Sequence, residues 1–396
     1  MPEEPTPDEP TPDERPDLSL WTIAKEWGRI GSIGFGGPPT HIALLRRLVV
    51  QDKGWIDETE FEDAIAATNL LPGPASTQLA IFTAWRLRGV PGAVVGGACF
   101  ICPGLVIIIL LAAVFLSSHP PTWIKGAALG AGAAVAPVAV NAALGLIPAS
   151  WRRAGEERNR RLRWVVYAAV GAAASATVGT FLVLVLLACG MAEVALSGGI
   201  RPPRGPQAAL LAPVAVVTTG GLGALTWVAL KVGALSFGGG FVIIPLMQAD
   251  AVHRYHWMTN PEFLNAVALG QITPGPVVQT VSVVGYAAAG VGGALLAALV
   301  AFSPSFVFIL VGARHFGALR TNRVAQGFLS GAGPAAIGAI AGASIPLALA
   351  ITQGWQVVIL AGALGLMVGL HRSVVLTLVG AGVIGAIGAA LGLPVG

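Results

Sequence analysis

The chain has 396 residues, of which 55% are hydrophobic and 11% charged, with a formal net charge of +4. Soluble domains carry about 25% charged residues, so this composition excludes an ordinary water-soluble globular protein and points to a bilayer. The small positive charge does not argue for nucleic acid, because the basic residues fall in short segments between apolar runs.

Residues 1–17 are rich in Pro, Asp and Glu and nearly free of apolar side chains. They read as a disordered acidic tail, and with no basic n-region or apolar h-region they do not read as a signal peptide. Residues 18–34 read as a short helix whose Lys25, Glu26 and Arg29 keep it from facing lipid all round. Gly36-Gly37-Pro38-Pro39 break it. A new helix is expected near Pro38, where proline fits a first turn, and it ends near Asp52-Lys53-Gly54. Asp57, with Glu60 three residues on, caps the next helix. That helix meets Leu71-Pro72-Gly73-Pro74, breaks, and resumes to about Arg88. Apolar runs follow at 90–116, 123–147, 164–178 and 180–197. The first two are long enough to span ~30 Å of hydrocarbon, and the last two hinge at Gly179. Cys99 and Cys102 lie in such a run without His or charged neighbours, and read as small core residues rather than a redox or metal pair.

The same order then recurs. Phe35 corresponds to Phe237, Trp55 to Trp257, Phe61 to Phe263 and Pro72 to Pro274, each pair 202 positions apart. Thr259 with Glu262 is a capping box at the place of Asp57 and Glu60. After Pro-Gly-Pro the register slips by one residue, so that Gly89 matches Gly290, Pro103 matches Pro304 and Gly132 matches Gly333. Later second-half spans are expected at about 291–312, 325–351, 355–370 and 374–393. The expected fold is an all-α polytopic membrane protein of two homologous halves with broken helices. The division is an acidic tail (1–17), a first repeat (18–205), a linker with an extra span (206–227, apolar from 207) and a second repeat (228–396).

Loop charges give the orientation. The first half is basic at Arg86/Arg88, from Arg152 to Arg163, and at Arg201/Arg204. The equivalent second-half loops at 287–290 and 352–355 carry no Arg or Lys. The second half is basic instead at Arg314/Arg320/Arg323 and His371-Arg372, and the first-half counterparts of those loops lack Arg and Lys. Basic loops mark the cytoplasmic side, so the halves are expected in inverted topology. Inverted repeats with interrupted helices are a signature of secondary transporters.

A helix broken inside a membrane presents free N–H groups and the positive end of a helix dipole to an anion. The candidate binding residues therefore gather at the breaks: Asn69, Pro72, Gly73, Pro74, Ser76, Thr77 and Gln78 in the first half, and Gln271, Pro274, Gly275 and Pro276 in the second. The bland alternative is a packing kink. Phe35-Gly36-Gly37 and Phe237-Gly238-Gly239 join them, since paired glycines let backbone approach a ligand or another helix closely. Arg29 and Lys231 precede these motifs at matched positions, as a dianion would require; for Arg29 an ion pair with Glu26 competes. Glu26, Glu62 and Glu262 are proton-coupling candidates, although acids in a first helical turn more simply complement the dipole. No nucleotide-binding loop, HExxH or Gly-x-Ser-x-Gly nucleophile occurs, and neither a metal nor a cofactor is expected.

Phe-Gly-Gly-Pro-Pro-Thr-His at 35–41, Leu-Pro-Gly-Pro at 71–74, Ser-Phe-Gly-Gly-Gly at 236–240 and Thr-Pro-Gly-Pro at 273–276 resemble the chromate ion transporter family, in its long two-domain type. The resemblance covers roughly residues 18–396. It implies multi-pass insertion in the bacterial inner membrane, chromate export and chromate resistance. Gly240 stands where the first motif has Pro38, so the two motifs need not be equivalent. The leading expectation is a secondary carrier for a tetrahedral dianion, driven by protons. A sulfate carrier is the alternative, and a membrane-embedded phosphatase or transferase the more distant one. The expected partners are the oxyanion and the lipid bilayer, with a homodimer allowed.

Overall fold

The computed structural model describes residues 18–69, 71, 73–117, 120–177, 182–197, 221–236, 241–312 and 322–395. The acidic tail, Pro72, Phe237, Gly238, Gly239, Gly179, Arg314, Arg320 and residues 201–220 lie outside them. No strand occurs among the described residues. Among them, 4 helices are long and apolar enough to cross a membrane: Ala75–Phe115, Thr122–Ala154, Val277–Gly312 and Arg323–Leu349. The chain is an all-α polytopic membrane protein.

Helix α1 (Leu20–Ile33) starts on Ser19, whose hydroxyl accepts from the Thr22 amide. Helix α2 (Pro38–Arg46) has proline in its first turn and widens into a π turn, Arg47–Asp52. Helix α3 (Glu58–Thr68) is capped by the Asp57 carboxylate, which accepts from Thr59 N–H. Helix α4 (Ala75–Phe115) is interrupted at Arg88 and Gly89, where Gly89 takes φ 60 and ψ −147. This left-handed conformation is one a glycine adopts without steric cost. The chain doubles back there, and Gly92 packs on the Ala84 carbonyl while Gly97 meets Ile81. Residues 75–87 (α4a) and 90–115 (α4b) are thus two antiparallel helices.

The second half repeats these details. Helix α9 (Leu222–Ala234) corresponds to α1, and α10 (Ile243–Gln248) again widens into a π turn, Ala249–Arg254. Trp55 N–H donates to Val49 O at 2.7 Å, and Trp257 N–H to Ala251 O at 2.8 Å. Helix α11 (Asn260–Ile272) carries the complete Thr259–Glu262 capping box. Helix α12 (Thr280–Gly312) is interrupted at Ala289 and Gly290, with Gly290 at φ 61 and ψ −152, giving α12a (280–288) and α12b (291–312). The expected extra span at 207–227 overlaps α9, so its described part belongs to the counterpart of α1.

The broken helices turn back instead of continuing across. Arg86, at the end of α4a, pairs with Glu60 in the first turn of α3, and Arg46, at the end of α2, pairs with Glu58 and Glu62. Helix α1 runs parallel to α4b, with Ile23 and Trp27 beside Gly96, and Gly31 against Phe100. The bases of α1–α2 and α3–α4a therefore share one face with the Arg88–Gly89 turn, and both hairpins point their tips inward. In the second half Lys231 and Asp250 meet across the α9–α10 hairpin. The Gln248 amide donates to Asn260 Oδ1 at 3.0 Å, joining that hairpin to α11.

The rest of the first half is α5 (Thr122–Ala133), α6 (Val135–Ala154), α7 (Arg158–Thr177) and α8 (Leu182–Leu196), and of the second α13 (Arg323–Leu349), α14 (Gly354–Leu364) and α15 (Val374–Ala390). The expected span at 123–147 lies within the spanning helix Thr122–Ala154, in which Ala134 alone separates α5 from α6, and α7 starts six residues before the expected 164. These helices interlock the halves. Helices α7 and α8 pack on α13, and α15 packs on α5. The seams are made of small residues: Gly338 and Gly342 lie against the Ala168 and Ala172 carbonyls, and Gly126 and Gly130 against Gly385 and Ala381. In lipid there is little hydrophobic drive between helices, so such close backbone packing supplies the association.

Candidate functional site

The hairpin tips of the two halves touch. Gly275 N–H, in the second-half Pro-Gly-Pro, donates to Gly34 O at the end of α1 at 3.0 Å, and Gly37 lies beside Val277. Gly34 O also accepts from His41 Nε2 at 2.9 Å. A carbonyl only accepts, so Nε2 carries the proton, and in the neutral ring Nδ1 accepts from the Ser76 hydroxyl at 3.3 Å. His41 is fully buried and stands edge-on to Phe100. It ties the first tip to the first turn of α4a, and through Gly34 to the opposite half. His41 was not among the expected binding residues. Its signal was a histidine one turn into an apolar helix that opens on Pro38-Pro39.

Each Pro-Gly-Pro also leans on the long helix of the other half. Gly73 takes φ +120, and a Cβ there would stand 2.5 Å from the Gln78 amide and 3.3 Å from Ser305 Oγ on α12b. Gly275 takes φ +97 beside Gln279. Gln279 Nε2 donates to Ile101 O on α4b at 2.7 Å, and Gly104 on that helix presses on the Pro274 carbonyl. No side chain caps the start at Pro74 or at Pro276. Thr77 and Gln78 N–H return to Pro74 O, which leaves the Ala75 and Ser76 amides at the open end of α4a.

Several buried polar atoms here lack a hydrogen-bond partner: Thr77 Oγ1, Ser236 Oγ, Gln271 Nε2, Gln279 Oε1, Ser282 Oγ and Ser305 Oγ. A membrane interior supplies no water to such groups, and native structures leave few of them unmet. They lie on the tip segments and the helix turns next to them, or, for Ser305, on the helix that Gly73 approaches, and all are buried.

The other expected residues are less central. Asn69 is exposed at the end of α3, and Phe35 is 44% exposed. Arg29 lies 3.4 Å from Glu26, with side-chain exposures of 58% and 17%. Lys231 is half-buried, pairs with the buried Asp250 and faces the Trp227 ring. The two cations match in sequence but not in setting, because the place of Asp250 is taken in the first half by Leu48. Glu62 pairs with Arg46, and Glu262 accepts from the Thr259 amide and hydroxyl, so both stand at hairpin bases rather than at tips. No cluster of His, Cys, Asp or Glu suited to a metal occurs among the described residues.

The comparisons with known proteins agree with this architecture. No solved structure matches the chain. A chromate transport protein of Cupriavidus metallidurans is 31% identical over 353 residues, covering 84% of each chain. One from Pseudomonas aeruginosa is 30% identical over 352 residues, covering 84% of this chain and 82% of its own. An uncharacterised transporter of the archaeon Methanocaldococcus jannaschii is 27% identical over 363 residues, covering 88% of this chain and 89% of its own. The family model described as Chromate transporter matches residues 21–194 and again 223–386. The chain therefore belongs to the chromate transporter family, and its role is membrane transport.

Proposed function

We propose that the protein is a secondary transporter that exports chromate, a tetrahedral dianion, across the bacterial inner membrane. In this reading its two halves lie in inverted topology, and the anion passes between their hairpin tips. The observation that carries it is the bond from Gly275 N–H to Gly34 O. It joins the inward tips of hairpins from both halves at a place lined by unmet donors and open helix starts.

The inversion draws support from the loops. Arg153 in the last turn of α6 and Arg160 and Arg163 in the first turns of α7 line one cavity with Arg323 at the start of α13. In sequence register the loop before α13 matches the loop before α5, not the loop between α6 and α7. Two non-equivalent loops on one face are what inverted repeats require. Arg46 and Arg86 stand at the first-half hairpin bases, and basic residues favour the cytoplasm.

The anion is held in this reading by Ala75 and Ser76 N–H, the hydroxyls of Thr77 and Ser305, and the amides of Gln78, Gln271 and Gln279. Arg29 and Lys231 contribute on the approach, Lys231 by exchanging Asp250 for the anion. A proton gradient drives the cycle, and Glu26, with a side chain 17% exposed against 51% for Glu62, is the acid offered for that role. Reconstituted vesicles loaded with labelled chromate test this. Efflux should follow an imposed proton gradient, stop with an uncoupler, and fall with excess sulfate only if the site reads shape and charge alone. Efflux no faster than from protein-free vesicles would sink the proposal.

A further inference from the structure

A second polar region lies away from the hairpin tips. At the end of the α7–α8–α13 bundle is a cavity of about 260 Å³ lined by Arg153, Arg160, Arg163 and Arg323. One acid, Glu193, also lines it. Glu193 is committed within the protein: Arg163 donates to both its oxygens, at 2.7 and 3.0 Å, and the Tyr167 hydroxyl donates at 3.1 Å. Arg160 pairs with Glu157 at 3.0 Å. Arg153 and Arg323 form no ion pair among the described residues, so the cavity keeps two cations in excess. Helix dipoles do not offset them. The starts of α7 and α13 and the ends of α6 and α8 meet here, and opposite dipole ends cancel. Both arginines are exposed enough to be reached from water.

Tryptophans flank the cavity, as at the headgroup level of a bilayer. Trp164 lines it, donates to Ser150 Oγ at 2.9 Å and packs edge-on against Trp151. Arg161 lies over the Trp151 ring. Trp at such a level anchors helices at the headgroup region.

We infer that this cavity binds a tetrahedral oxyanion group between Arg153 and Arg323, fixed from below by the Arg163–Glu193–Tyr167 cluster. Guanidinium pairs suit such a group because each offers two parallel N–H donors. The group comes either as the phosphate of an anionic lipid or as a free inorganic dianion, and in both cases it clamps the first-half α6–α7 turn to second-half α13. The site is separate from the tips, and its occupancy is read without any transport step, so failure of the export proposal leaves it standing.

The full chain in phosphatidylcholine nanodiscs is titrated with radiolabelled inorganic phosphate, and in parallel nanodiscs with added phosphatidylglycerol are analysed for retained lipid by native mass spectrometry. The variants are R153A/R323A, and R372A as an exposed basic control on a different loop. A free-anion site gives saturable phosphate binding that weakens about tenfold or more in R153A/R323A and not in R372A. A lipid site gives retained phosphatidylglycerol that is lost in the same variant, with no saturable phosphate binding. If the double variant does not fold, R323Q alone is read in its place, because phosphate bound at the hairpin tips would also saturate in the wild type. Wild type with neither saturable phosphate binding nor retained phosphatidylglycerol overturns the proposal, as does binding equal in wild type and a folded R153A/R323A.

Discussion

At the scale of single residues, His41 and Lys231 differ in what their removal leaves behind. His41→Ala takes one donor from Gly34 O, which keeps Gly275 N–H, and one partner from Ser76. The cost is about 1–3 kcal/mol of local stability, and it falls on the contact between the halves. His41→Ala is therefore expected to reach the membrane at near-normal levels and to lose most chromate efflux; normal efflux in vesicles would remove His41 from the site. Lys231→Ala instead strands Asp250, which is 3% exposed. Breaking a buried pair by removing one partner costs about 3–5 kcal/mol, so this variant is expected to lose stability first. The double change Lys231→Met with Asp250→Asn should recover folding, measured as detergent-solubilised melting temperature. If it recovers efflux as well, the pair is structural, and the role proposed for Lys231 falls.

At the scale of elements, the two Pro-Gly-Pro turns make unequal demands. Both glycines take positive φ, which an alanine adopts only with strain. At Gly73 a Cβ would also meet the Gln78 amide at 2.5 Å, whereas at Gly275 its nearest neighbours, the Gln279 amide atoms, stand at 3.3 Å. Gly73→Ala should therefore reduce efflux more than Gly275→Ala, and leucine at either position should abolish it. Equal, full efflux from both alanine variants would show that neither turn shapes the pathway. Much of this was legible in the sequence, because caps, breaks and the 202-residue register are local signals. Pro-Gly-Pro states that a helix stops; it does not state where the chain goes next. That direction depends on Arg86 meeting Glu60, 26 residues earlier, and on Gly92 reaching Ala84 after the Gly89 turn. The partner of Lys231 was hidden for the same reason. Asp250 lies on the returning arm of a hairpin, and the first half places Leu48 there, so matching the repeats could not disclose it.

At the scale of the whole molecule, the halves are bound by exchange rather than by abutting. Helices α7 and α8 of the first half pack on α13 of the second, while α15 of the second packs on α5 of the first. With carbonyls directly against Gly171, Gly338 and Gly342, these seams tolerate little sliding, and in the export reading proposed above the relative motion falls to the hairpins. A rigid interlocked frame around two movable pairs of hairpins then serves alternating access, provided that the hairpin pairs enter from opposite faces. Cysteine labelling tests that condition. In a background lacking Cys99, Cys102 and Cys189, a cysteine at Arg158 opens α7, and one at Thr352 lies in the second-half loop that matches the turn between α6 and α7. Inversion requires the first to react with an impermeant maleimide only in opened membranes and the second in intact cells. Arg372→Cys, in the next loop along, should again be protected, because one further crossing separates it from Thr352. Labelling of Arg158→Cys and Thr352→Cys from the same side would leave the halves parallel. The tip contact between Gly34 and Gly275 would then join hairpins entering from one face, and a pathway between opposed gates would have no structural basis.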